Sequence, residues 1–112
     1  MMKESKSMTK KEVKNFFTRE ALTLLENSFN IDVEGGGRCI HFEVEVNGIT
    51  ETGTLERDTL NVDLDNTMNY FNPEAFPKEM VLQTQKCKVM ERNMNLLLED
   101  LAEEYGDLRR NS

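Results

Sequence analysis

Residues 39–48 read Cys39-Ile40-His41-Phe42-Glu43-Val44-Glu45-Val46-Asn47-Gly48. Apolar and polar side chains alternate without a break, the period-2 pattern of a strand with one buried face. Ile40, Phe42, Val44 and Val46 share one side; Cys39, His41, Glu43 and Glu45 share the other. Asn47-Gly48 is a strong hairpin signal, because a type I′ turn needs positive φ at both central positions. The chain therefore folds straight back. The returning segment, 49–55, is less regular. Two-residue pairing would set Glu51 beside Val44 and Gly53 opposite Phe42, placing an acid and a glycine on the dry face. The expectation is a longer loop or a bulge that resets the register. A third strand follows, with Leu60, Val62 and Leu64 facing in and Asn61, Asp63 and Asp65 facing out. Together these segments predict a three-stranded antiparallel meander with one dry face and one acidic face.

Helices flank this sheet. Thr9 and Glu12 form a Thr-x-x-Glu capping box. Val13, Phe16, Phe17, Ala21, Leu24, Leu25 and Phe29 then recur at helical spacing, which predicts a helix over 10–28. Gly35-Gly36-Gly37 closes the connection to the sheet. Beyond it, residues 66–77 form a connection bracketed by Pro73 and Pro77, and Pro77 suits a first helical turn. A last helix is expected over 78–105, closing at Gly106. Those ~28 residues would span about 42 Å. Along it Met80, Cys87, Met90, Met94, Leu97 and Leu101 keep a heptad-like spacing, a candidate seam for homodimerisation. The fold class is thus α+β: helix, three-stranded meander, long C-terminal helix.

The chain has 112 residues, 14 basic and 21 acidic, for a net charge of -7. That length suits one domain, read as residues 9–112 behind a flexible basic tail, 1–8. Two cysteines, Cys39 and Cys87, allow at most one bridge, so free thiols in a reducing cytoplasm are expected. No segment is apolar enough to span a bilayer, and residues 1–11 do not read as a secretory signal. The charge is uneven: +3 over 1–20, -9 over 21–76 and -1 over 77–112. An acidic middle repels phosphates, so direct nucleic-acid binding is not expected.

Several short patterns touch on chemistry. Val62-Asp63-Leu64-Asp65-Asn66-Thr67 resembles the first motif of the haloacid dehalogenase-like phosphatases. That resemblance would make Asp63 the nucleophile, Asp65 the general acid and the pair a magnesium site. The family places its remaining motifs on later βα units. Here residues 68–112 read mostly as one helix, too little chain to supply them. Asp63, Asp65, Thr67, Asn69 and Glu74 also fall at EF-hand positions 1, 3, 5, 7 and 12. Met68 stands where the sharp turn needs Gly, and Pro73 stands at position 11. Gly35-Gly36-Gly37-Arg38 precedes a strand rather than a helix, unlike a phosphate loop. His41, the only histidine, lacks a recognisable nucleophile or orienting partner. No catalytic residue, metal site or cofactor is assigned, and the chain is not read as an enzyme.

A binding role follows by elimination. The expectation is a small acidic adaptor or inhibitor that meets a basic protein through Glu43, Glu45, Asp63 and Asp65, with the long helix as dimer or partner seam. One version is a nucleic-acid mimic that occupies the groove of a basic enzyme. The alternative is a cytoplasmic secretion or assembly chaperone. In layout, the stretch 29–64 is similar to the first sheet of the small acidic type III secretion chaperones, which implies capture of an extended apolar segment.

Overall fold

The computed structural model describes residues 8–72 and 74–110. Residues 1–7 of the expected tail, Pro73 and the last two residues lie outside that set. The architecture is α+β: α1 (Lys10–Ser28), strands β1 (Ile31–Gly35), β2 (Cys39–Val46), β3 (Ile49–Glu56) and β4 (Asn61–Leu64), a 3-10 turn (Thr67–Tyr70), and α2 (Pro77–Arg110). The strands form one antiparallel sheet in the order β1-β2-β3-β4.

The capping box forms as expected: the Glu12 N–H donates to the Thr9 hydroxyl at 3.1 Å, and the Thr9 N–H donates to Glu12 Oε1 at 2.8 Å. Two orphan amides of the first turn are thereby satisfied. Phe17, Ala21 and Leu25 bury one face of α1, while Phe16 stays 41% exposed.

The sheet has four strands rather than three. The missed one, β1, alternates over only Ile31-Asp32-Val33-Glu34 before the glycine run, too short a pattern to register as a strand. A register shift between Val33 and Gly35 interrupts its pairing with β2, which resumes with Gly35 opposite His41. In the tight link that follows, a Cβ on Gly36 would lie 2.0 Å from the Cys39 carbonyl oxygen, so only glycine fits.

The hairpin register also corrects the expectation. Asn47 and Gly48 adopt φ of 54° and 81°, and β2 pairs with β3 without a bulge: Val44 with Glu51, Phe42 with Gly53, Ile40 with Leu55. Gly53 lies on the dry face because the Phe42 ring covers it. A Cβ there would sit 2.2 Å from Phe42 Cζ. Glu51 is fully buried, and its carboxylate accepts from the Thr67 N–H (2.7 Å), the Thr67 hydroxyl (2.6 Å) and Gln83 Nε2 (2.6 Å). Three donors compensate the desolvation that a buried carboxylate would otherwise suffer. Leu60 precedes β4 rather than joining it. It is buried in the β3–β4 turn at φ 58°, a conformation few β-carbon-bearing residues adopt.

Both helices pack on the inner face, against Ile40, Phe42, Val44, Val46, Leu55 and Val62. Phe17 of α1 stacks on Tyr105 of α2 with ring centroids 5.0 Å apart. α2 runs 34 residues, about 51 Å. It continues through Gly106 to Arg110 because a helical glycine is merely unfavourable, by ~1 kcal/mol, and not a stop. The molecule is accordingly elongated, 60 × 22 × 22 Å, with a radius of gyration of 16.6 Å against about 13 Å for a compact domain of this length.

α2 also finishes one edge of the sheet. Its Asn95 side chain accepts from the Val62 N–H (2.8 Å) and donates to the Val62 carbonyl (3.0 Å), and Glu91 accepts from the Leu64 N–H (3.0 Å). Three outward backbone groups of β4, both of Val62 and the Leu64 N–H, are thus met by side chains much as a fifth strand would meet them.

Candidate functional site: the acidic sheet face

The outer face of the sheet is built by alternation. Because opposed residues in an antiparallel pair point the same way, Asp32, Glu43 and Thr52 form one row across β1, β2 and β3. Glu45 and Thr50 form the next row towards the hairpin tip, and His41, Thr54 and Asp63 a row in the other direction. The four strands contain no lysine or arginine. None of the carboxylates Asp32, Glu34, Glu43, Glu45, Glu56 and Asp63 forms a salt bridge among the described residues.

Of the four expected partner-binding residues, Glu43 and Glu45 lie on β2 and Asp63 on β4. These two strands are separated by β3 and hence by roughly 10 Å. The threonines of β3 (Thr50, Thr52, Thr54) run between them as a neutral stripe. Asp65 lies just past β4, where its N–H donates to the Thr52 carbonyl (2.8 Å) and its carboxylate accepts from the Tyr70 hydroxyl (3.0 Å). That bond and the Asp65 charge raise the Tyr70 pKa. The denser cluster lies towards β1. The Glu34 carboxylate beside Glu43 pushes the Glu43 pKa up, with smaller contributions from desolvation and Asp32. Like charges this close disfavour the ionised form. Asp32 and Glu34 were missing from the sequence-derived site because β1 was read as a connection. The short Ile31-Asp32-Val33-Glu34 alternation was the signal that could have placed them.

The other candidates separate clearly. Asp63 is exposed on the sheet and Asp65 is engaged by Tyr70, while the chain proceeds into a 3-10 turn and α2. No strand follows β4 among the described residues, so the later motifs of a phosphatase-like site have no element to stand on. In the EF-hand alignment, the Thr67 hydroxyl and amide are both committed to Glu51. The strand entry also lacks the incoming helix of that motif. The side chain of Asn69 and the whole of Pro73 lie outside the described residues. Among the described residues, no group of three or more His, Cys, Asp or Glu side chains could hold a metal ion. His41 Nδ1 lies 3.5 Å from the Thr54 hydroxyl, and Cys39 is half-buried nearby on the same strand.

The methionine and leucine seam of α2 is turned inward. Cys87 and Met94 are buried, and Met90, Leu97 and Leu101 are half-buried against the core; Met80 is half-buried near the start of the helix. Burial, and then the Glu51 carboxylate, push the Cys87 thiol up to about 12, so it is protonated and unreactive at neutral pH. The apolar residues that α2 shows to solvent are Val81, Leu82, Val89, Leu96 and Leu108. No described helix is long and apolar enough to cross a membrane.

In comparison with known proteins, no family model, no curated protein and no solved structure matches the chain.

Proposed function

We propose that this chain is a protein-binding module, an adaptor or inhibitor, whose outer sheet face docks on a basic surface of another protein. The observation that supports this reading is one-sided charge. Six strand carboxylates face outward with no cation among them, and both helices pack on the opposite face. A face of this kind attracts a cationic partner at long range and supplies acceptors for its Lys and Arg side chains. A groove of a nucleic-acid-binding enzyme is one such partner, which makes nucleic-acid mimicry a form of the same proposal. The test compares capture of host proteins by the native chain and by the Glu43→Lys/Glu45→Lys double variant. A partner held by the native chain, released by salt and lost with the variant supports the reading. A partner bound equally by both overturns it.

The secretion-chaperone reading keeps one supporting feature. A groove between α2 and the hairpin tip has an apolar half, Phe29, Val46, Leu82, Val89 and Met90, that an extended client segment could use, and a polar half that includes Glu45 and Lys86. Salt-insensitive binding of an apolar peptide, weakened by Val89→Glu, would favour it. For homodimerisation through α2, the exposed stripe Leu82, Val89 and Leu96 is the proposed surface, since the heptad-like seam faces the core. A 13 kDa species in sedimentation at micromolar concentration would overturn the dimer.

A further inference from the structure

The two edges of the sheet are finished differently. The two-residue turn makes Val46 and Ile49 a hydrogen-bonded pair, and alternation then directs the backbone groups of Glu43 towards β1. Asp32, opposite Glu43, spends its N–H and C=O on that ladder. Ile31 and Val33 therefore present theirs to the open edge. The same count on the other side leaves Val62 and Leu64 of β4 outward, where Asn95 and Glu91 meet them. At β1 only the Ile31 N–H is used locally, donating to the Phe29 carbonyl at 2.9 Å. The Val33 N–H, the Val33 carbonyl and the Ile31 carbonyl have no hydrogen-bond partner among the described residues.

We propose that β1 is a docking edge that accepts an extended segment of a partner protein as a fifth strand, and that this segment alternates basic and apolar residues. The inference rests on the acidic-face reading and specifies the partner's form. An added strand continues both faces of the sheet. On the inner side its side chains would extend the half-buried Ile31 and Val33. On the outer side they would meet Asp32 and Glu34, backed by Glu43. Lys or Arg at alternate positions relieves the repulsion that raises the Glu43 pKa, whereas acidic residues add to it. A second copy of this chain is the wrong occupant for that reason: antiparallel β1–β1 pairing brings Asp32 and Glu34 against their own counterparts.

The probe is a ten-residue peptide alternating Lys and Val, with a same-composition peptide of five Lys followed by five Val as control. The discriminating variant is Val33→Pro. It removes the outward N–H without touching the β1–β2 ladder, a position where an edge strand tolerates proline. Retention of the native melting temperature and amide spectrum verifies its fold. The expected result is that the alternating peptide binds about 10-fold more tightly than the block peptide and that Val33→Pro abolishes this difference, since one or two backbone hydrogen bonds carry roughly that factor. If both peptides bind alike at low salt, and Val33→Pro changes neither, strand addition is overturned while the acidic face survives. If neither peptide binds at low salt, both proposals fail. If the native chain sediments as a dimer that Val33→Pro dissolves, the edge belongs to a second copy and the basic-segment assignment is overturned.

Discussion

Glu51 and Glu43 lie on adjacent strands of one hairpin and meet opposite fates. Glu51 points into the core, fully buried, with three hydrogen-bond donors and no cation. Glu43 points into solvent with two carboxylates for neighbours. Removed from water, a carboxylate needs donors in its place, and oriented amide and hydroxyl groups provide them in the interior. Among the described residues Glu43 has no cation for a partner and is left to water. Glu51 is therefore read as a structural acid that ties the hairpin, the 3-10 turn and α2 together, and Glu43 as an acid that the proposed docking face would offer to an external cation.

Substitutions at the two sites test that contrast. Glu51→Leu should have the largest effect. It strands the Thr67 and Gln83 donors in the core and is expected to destabilise by about 3 kcal/mol in denaturant unfolding. A variant as stable as the native chain would show that the network is dispensable. Next comes Gly53→Ala on the same inner face, where the new methyl collides with the Phe42 ring and with Leu64 Cδ2 at 2.9 Å. A loss of about 2 kcal/mol is expected by the same measurement. On α2, Gly106→Ala should stabilise by up to about 1 kcal/mol, because its new methyl has only the end of the Arg110 side chain within contact at 3.5 Å.

The smallest effect belongs to the outer face. Glu43→Gln should raise the melting temperature slightly at neutral pH and low salt, and the gain should vanish at high salt. The sign follows from the raised pKa. The folded state holds the Glu43 proton more tightly than the unfolded chain does, so the group favours folding at low pH and loses that contribution as pH rises through its folded pKa. Asp58 runs the other way. The Lys14 ammonium at 2.7 Å lowers its pKa, so it contributes stability above the ordinary aspartate range and loses it as pH falls below about 4. The melting curve of Asp58→Asn should therefore differ from the native one at neutral pH and converge with it in acid.

Much of this fold was legible in the sequence. Strict alternation from Cys39 to Val46, the Asn47-Gly48 turn and the Thr9–Glu12 box each depend on local geometry, and each formed as read. The misreadings share a cause. Glu51 and Gly53 looked wrong for a dry face because their compensation is distant in sequence. Gln83 closes over Glu51 from α2, and the ring that covers Gly53 belongs to Phe42 on the facing strand. β1 was missed because four alternating residues carry little signal until β2 is available to pair with them. The acidic character of the outer face was visible through Glu43, Glu45, Asp63 and Asp65. Its densest part was not, since Asp32 and Glu34 join it only through that pairing.

The Asn95 and Glu91 contacts to β4 bear on the order in which the molecule assembles. Residues more than twenty-five positions apart must meet before the Val62 and Leu64 amides are protected. A hairpin closes locally and early, whereas a contact of this separation waits for loop closure. In native-state hydrogen exchange, these two amides should therefore report the undocking of α2, becoming labelled whenever the helix lifts even while the β2–β3 ladder stays shut.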